Sequence, residues 1–148
     1  MQQLVQLKQG FLICGYTAKD QLLIDLDNCS VIKAVALARM LMKEYPYIGD
    51  CLVVQCSDDS YHLVFGNKLS WHKISKIVST LAQLGILNED YMKIRKFRKD
   101  LTLRISPKTE PLKQRDTPKP LLFLFNPFWR GKRDCLTLRY LKALEAFL

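Results

Sequence analysis

Two carboxylates spaced two residues apart, Asp25 and Asp27, close the run Leu22-Leu23-Ile24-Asp25-Leu26-Asp27. Side chains alternate across an extended strand, so both carboxylates share one face and Leu22, Ile24 and Leu26 the other. At ~6–7 Å apart along the strand, such a pair is a natural clamp for a divalent cation. The run Ser60-Tyr61-His62-Leu63-Val64-Phe65 alternates in the same way. Tyr61, Leu63 and Phe65 suit a core, leaving Ser60 and His62 to face out with Val64. In 100–105, Leu101, Leu103 and Ile105 take the core positions, and Asp100, Thr102 and Arg104 the polar face. Carboxylates that hold cations, with Ser, His and Arg to bind phosphate oxygens, form the set that a nucleoside triphosphate requires. Alternation alone is also what any half-exposed sheet displays.

The elements that must position these groups follow from spacing and punctuation. Residues 11–16 and 21–27 read as two strands joined as a hairpin through Thr17-Ala18-Lys19-Asp20. Ser30 is an N-cap for a helix from Val31 to Lys43, stopped by Tyr45-Pro46. Cys51–Cys56 and Ser60–Phe65 form a second hairpin around Asp58-Asp59. Ser70 caps the clearest helix, with Ile74, Ile77, Val78 and Leu81 on one face and Gly85 closing it. Met92–Phe97 and Leu101–Ile105 read as further strands. Leu121–Phe125 is a last strand or docking segment, and 134–148 a terminal helix with Leu138, Leu141 and Leu144 or Glu145 marking its faces. Two helices cover one face of a mainly antiparallel sheet, leaving the other open or partly covered by the C-terminal segment.

Taken in order, Leu-Ile-Asp25-Leu-Asp27, Ser60-Tyr-His62, Asp90 and then Leu101-Thr-Leu-Arg104-Ile-Ser106-Pro-Lys108 resemble the archaeo-eukaryotic primase superfamily. Its motifs are D-x-D after hydrophobic residues, S-x-H, a third carboxylate, and a downstream strand carrying arginine before a turn with Ser and Lys. The resemblance spans roughly residues 20–108. It implies an α+β fold, with an RNA-recognition-motif-like sheet of about six mainly antiparallel strands, two helices on one face, and a C-terminal arm and helix. It also implies Asp25, Asp27 and Asp90 as metal ligands for Mg²⁺ or Mn²⁺ and as catalytic carboxylates. Ser60, His62, Arg104 and Lys108 are then nucleotide contacts. Glu89 rather than a hydrophobic residue precedes Asp90, so Asp100 stands as the alternative third carboxylate. The function implied is a primase- or polymerase-like nucleotidyltransferase domain in replication. The alternative is a non-catalytic nucleic-acid-binding module of a plasmid or virus replication protein, using the same basic face.

Charge agrees with either reading. Over 148 residues, 23 Lys and Arg face 14 Asp and Glu, giving a formal charge of +9 that favours a polyanionic partner. Ten of the cations fall between Lys93 and Lys119, and Arg95, Arg98 and Lys99 are candidate nucleic-acid contacts. A second candidate is Phe123, Phe125, Phe128, Trp129, Arg130, Lys132 and Arg133, where aromatics interleave with bases as in single-strand stacking sites. That segment reads more readily as a strap packing the terminal helix, with a homodimer contact as a third reading. The organisation expected is a core over 1–108, a basic proline-containing arm over 109–120 and a C-terminal strand and helix over 121–148. The partners expected are nucleic acid, DNA before RNA, and nucleoside triphosphates, with a homodimer or replication-protein partner as an additional option. Five scattered cysteines without a C-x-x-C pair, no secretory signal pattern and no ~20-residue apolar run suggest a cytoplasmic protein that avoids the membrane.

Overall fold

A computed structural model of the chain describes residues 2–6, 12–87, 98–106, 108–109, 114–115 and 117–147. Strands β1 (Gln2–Gln6) and β2 (Leu12–Ala18) open it, followed by β3 (Leu23–Leu26), helix α1 (Val31–Glu44) and a 3-10 turn at Pro46–Ile48. Next come β4 (Cys51–Ser57), β5 (Ser60–Phe65), helix α2 (Trp71–Gln83), β6 (Leu101–Arg104), and the two-residue strands β7 (Lys108–Thr109) and β8 (Gln114–Arg115). Strand β9 (Lys119–Leu124) and the terminal helix, here α3 (Thr137–Glu145), end the chain. The expected strand over Met92–Phe97 lies outside the described residues.

The class is α+β with antiparallel pairing, but the expected single sheet of about six strands is divided. One sheet has the order β1-β2-β6, another β3-β5-β4-β9, and β7 pairs with β8. The expected hairpin between 11–16 and 21–27 is likewise replaced. β2 pairs with β1 and β6, whereas β3 pairs with β5. The cause is the crossing at residues 19–22, a linker whose second half, Gln21 and Leu22, is buried. Gln21 is fully buried and donates through Nε2 to the Phe65 carbonyl at 2.9 Å. Leu22 accepts from the Phe65 amide, and Asp20 from the Leu69 amide. Those bonds carry the chain from the first sheet to the edge of the second. Strand β6 then lies alongside β3, so the two sheets meet where Asp25 sits.

Capping fixes the helices as expected. Ser30 accepts from the Lys33 amide and Ser70 from the Lys73 amide, each satisfying an otherwise orphaned N–H. α1 packs on β4 and β5, and Ile74, Ile77, Val78 and Leu81 of α2 enter the same core. Gly49 has φ +86°, and a Cβ there would come within 2.6 Å of Asn67, so the tight entry into β4 requires glycine. α3 rests on β5, with the Leu136 amide bonded to the Gly66 carbonyl at 2.7 Å. Its buried residues are Thr137, Tyr140, Ala143 and Leu144, so the face expected from Leu138 and Leu141 is turned. Leu138 is exposed and Leu141 half-buried.

Candidate functional site

The antiparallel register of β3 and β5 sets Asp25 directly across from His62, and Leu23 across from Val64. Residues directly opposite share a face, so the D-x-D and S-x-H pairs meet on one side of the sheet. His62 Nε2 lies 3.5 Å from Asp25 Oδ1. One residue past the strand, Asp27 Oδ1 accepts a hydrogen bond from the Ser60 hydroxyl at 2.9 Å. The other sheet brings Arg104, paired with Gly15 in β2, and Thr102, whose hydroxyl is 2.8 Å from that of Thr17. Arg104 also donates to the Ser106 carbonyl, folding the guanidinium back over its own strand end. Its positive charge reaches His62 strongly enough to lower the imidazole pKa.

The burial of these groups differs from expectation. Ser60 and His62 face away from the α1 layer, yet they are 2% and 3% exposed. α3 packs on β5, and its Tyr140 feels the charges of both Arg104 and Asp25. Burial first, and the Arg104 charge second, push the His62 pKa down to about 3. The Asp25 carboxylate pulls the other way, but its side chain is 43% exposed and solvent screens it. Burial therefore prevails, and the imidazole is neutral at neutral pH. An Nε2–H directed at Asp25 leaves Nδ1 as a bare acceptor. That Nδ1 and the Tyr140 hydroxyl are both buried without a hydrogen-bond partner among the described residues. Each such orphan costs about 1–3 kcal/mol, and sites that perform chemistry are where such costs collect.

Sequence alone did not single out the device that fastens α3 to residues 16–21. Arg139 donates through Nε to the Tyr16 hydroxyl at 2.7 Å and through an Nη to Asp20 at 2.6 Å. The Tyr16 hydroxyl donates in turn to Gln21 at 2.6 Å, and the Tyr16 and Tyr140 rings meet edge-on at 5.3 Å. Burial opposes charge on Asp20, but the Arg139 hydrogen bond and charge outweigh it and hold the carboxyl below its usual range. Tyr140 had a weak signal, since with Ala143 and Leu144 it follows helical spacing. Nothing in the sequence tied Arg139 to residues 16–21.

The remaining sequence candidates separate. Asp90 and Arg95 lie outside the described residues, as does the side chain of Lys108 on β7. Arg98 and Lys99 are exposed in the turn before β6, where Lys99 has φ +55°. Asp100 is buried beside them. Trp129 is half-buried, its indole N–H donates to the Lys132 carbonyl at 2.9 Å, and its ring fills the space that a Cβ on Gly131 would take. It shapes a local turn, while Arg130 projects freely into solvent. Of the other aromatics in that segment, Phe123, Phe125 and Phe128 are exposed. Among the described residues no three His, Cys, Asp or Glu side chains cluster as a metal cage, and no helix is long and apolar enough to cross a membrane. Comparison with known proteins gives no matching family model, no matching curated protein and no matching solved structure, so any function is argued from this chain's own geometry.

Proposed function

We propose that the chain is a primase-like domain that binds a nucleoside triphosphate with a divalent cation and acts on DNA. The observation that carries this reading is the register of β3 on β5, which sets Asp25 opposite His62 and lets Ser60 hold Asp27. The donor set suits Mg²⁺ or Mn²⁺: two hard carboxylates on one face, one half-exposed and the other exposed, both open to water and phosphate oxygens as further ligands. Asp25 and Asp27 would hold the ion, which when bound supplies Lewis-acid polarisation of a phosphoryl oxygen.

The buried partners have supporting roles rather than the direct phosphate contacts that the motif resemblance implies. A neutral His62 would orient Asp25, and the Ser60 hydroxyl orients Asp27. Arg104 is the cation of the set and the group to offset charge developing on a triphosphate. Its placement over Ser106 fixes that charge near His62 without a need to move.

The test is nucleoside triphosphate binding with and without Mn²⁺, in wild type and in Asp25→Asn/Asp27→Asn, followed by primer extension on a DNA template. Binding that needs the cation and is lost in the double variant supports the reading. The second reading, a non-catalytic nucleic-acid-binding module, is favoured by the burial of Ser60 and His62. Its signature is oligonucleotide binding that weakens steeply with salt and is indifferent to Mn²⁺. Absence of metal-dependent nucleotide binding in the wild type refutes the enzymatic reading.

A further inference from the structure

At the opposite edge of the four-stranded sheet from Asp25, three strand spacings or about 14 Å across, helix α1 and the 125–128 segment wall a groove. It has a volume of about 350 Å³. Met40, Phe125, Pro127 and Phe128 line it, with Arg39 and Lys43 at the rim. The two cations stand four residues apart, hence on one side of the helix. Both are exposed, and neither has an ion-pair partner among the described residues.

The aromatic wall is held rigidly although it is exposed. Asn126 is fully buried, and its Nδ2 donates to the Pro46 and Gly49 carbonyls at 2.9 and 3.0 Å. Its amide bonds Asp50, and its Oδ1 accepts from the Phe128 amide. Arg133 reaches Asp50 at 2.7 Å and the carbonyls of Asn126 and Trp129, and its guanidinium lies 4.3 Å from the centre of the Phe125 ring. One face of Phe125 is thus backed by a fixed cation. Phe125 is still 62% exposed and Phe128 48%. Two phenyl rings kept in water by a dedicated hydrogen-bond frame mark a binding surface.

We propose that this groove is a single-stranded nucleic-acid subsite, in which a base stacks against Phe125 and Phe128 and the neighbouring phosphates meet Arg39 and Lys43. Stacking platforms with adjacent cations bind single strands because every base has a π-face and every linkage a negative charge. An extended acidic peptide would satisfy the rim but not the wall. The amides of Asn126 and Phe128 are already used internally, and Pro127 has none, so residues 126–128 offer a peptide backbone no donor. The inference shares the nucleic-acid part of the proposed function and does not depend on Asp25, Asp27 or a metal.

The experiment measures binding of labelled single-stranded DNA and RNA oligonucleotides, of about a dozen nucleotides, by fluorescence anisotropy across a salt series. Phe125→Ala/Phe128→Ala should weaken binding by roughly tenfold or more. Phe125→Leu/Phe128→Leu, which keeps apolar bulk and therefore the fold, should weaken it similarly. Arg39→Gln/Lys43→Gln should lower the slope of log affinity against log salt by about 1.4, from two phosphate contacts. Wild-type affinity in both phenylalanine pairs overturns the proposal while leaving the Asp25 site untouched. So does a wild type that ignores oligonucleotides but binds an acidic, phenylalanine-containing peptide. Loss of Mn²⁺-dependent nucleotide binding in the aspartate variant, with the groove variants binding oligonucleotides normally, would uphold the proposed function and sink this subsite alone.

Discussion

Acidification should expose the cost of keeping His62 neutral. The folded imidazole has its pKa lowered from 6.5 to about 3, chiefly by burial and then by Arg104, while in the unfolded chain it returns to the ordinary value. A base with a lowered folded pKa binds its proton only in the unfolded state over the intervening window. Stability is therefore full above pH 6.5 and is lost as pH falls toward 3. Over the interval from about pH 7.5 to about pH 5, the linkage integral gives a loss of about 2 kcal/mol. For a chain of this size that corresponds to a fall of ~4–8 °C in melting temperature. Stopping near pH 5 keeps most carboxylates with ordinary values ionised. The assay is urea unfolding followed by circular dichroism at several pH values, with His62→Gln as the control. The control should be less stable throughout yet show a flatter pH dependence. Independently, the His62 imidazole resonances should not titrate between about pH 7.5 and pH 5. Identical pH slopes in wild type and control, or a His62 titration midpoint near 6.5, would refute the assignment of a buried neutral imidazole.

Two further substitutions probe the frame around the sites. Tyr140→Phe removes a buried hydroxyl that has no partner among the described residues, and calorimetry should find the variant about 1 kcal/mol more stable; a loss of similar size would mean that the hydroxyl is bonded in solution. Asn126→Ala removes both amide donations to residues 46 and 49 as well as the acceptor for Phe128. Denaturant unfolding should register a loss of roughly 2–4 kcal/mol, and oligonucleotide binding should weaken with it as the aromatic wall loosens. An unchanged midpoint would show that the 125–128 segment is held by packing alone.

Local chemistry wrote much of this molecule into the sequence. Ser30 and Ser70 announce both long helices because a serine oxygen can satisfy an orphan N–H wherever the helix begins. Asp58-Asp59 between two Val- and aromatic-rich runs dictates the β4–β5 hairpin. The alternation in 22–27 and 60–65 determined that Asp25 and Asp27, and likewise Ser60 and His62, would share a face, since the two-residue period of a strand needs no partner to exist.

Pairing and cover were decided elsewhere. Whether 12–18 turns back onto 21–27 or crosses to another sheet depends on Gln21 and Phe65, forty-four positions apart, and no local pattern encodes that bond. The same holds for the neutrality of His62. Its sequence neighbours are those of a half-exposed strand, but the charge state follows from burial in the folded chain and from Arg104, brought in by the other sheet. Side-chain type and periodicity set which groups could meet; the dielectric around them, and hence what they can do, was set by burial in the folded chain.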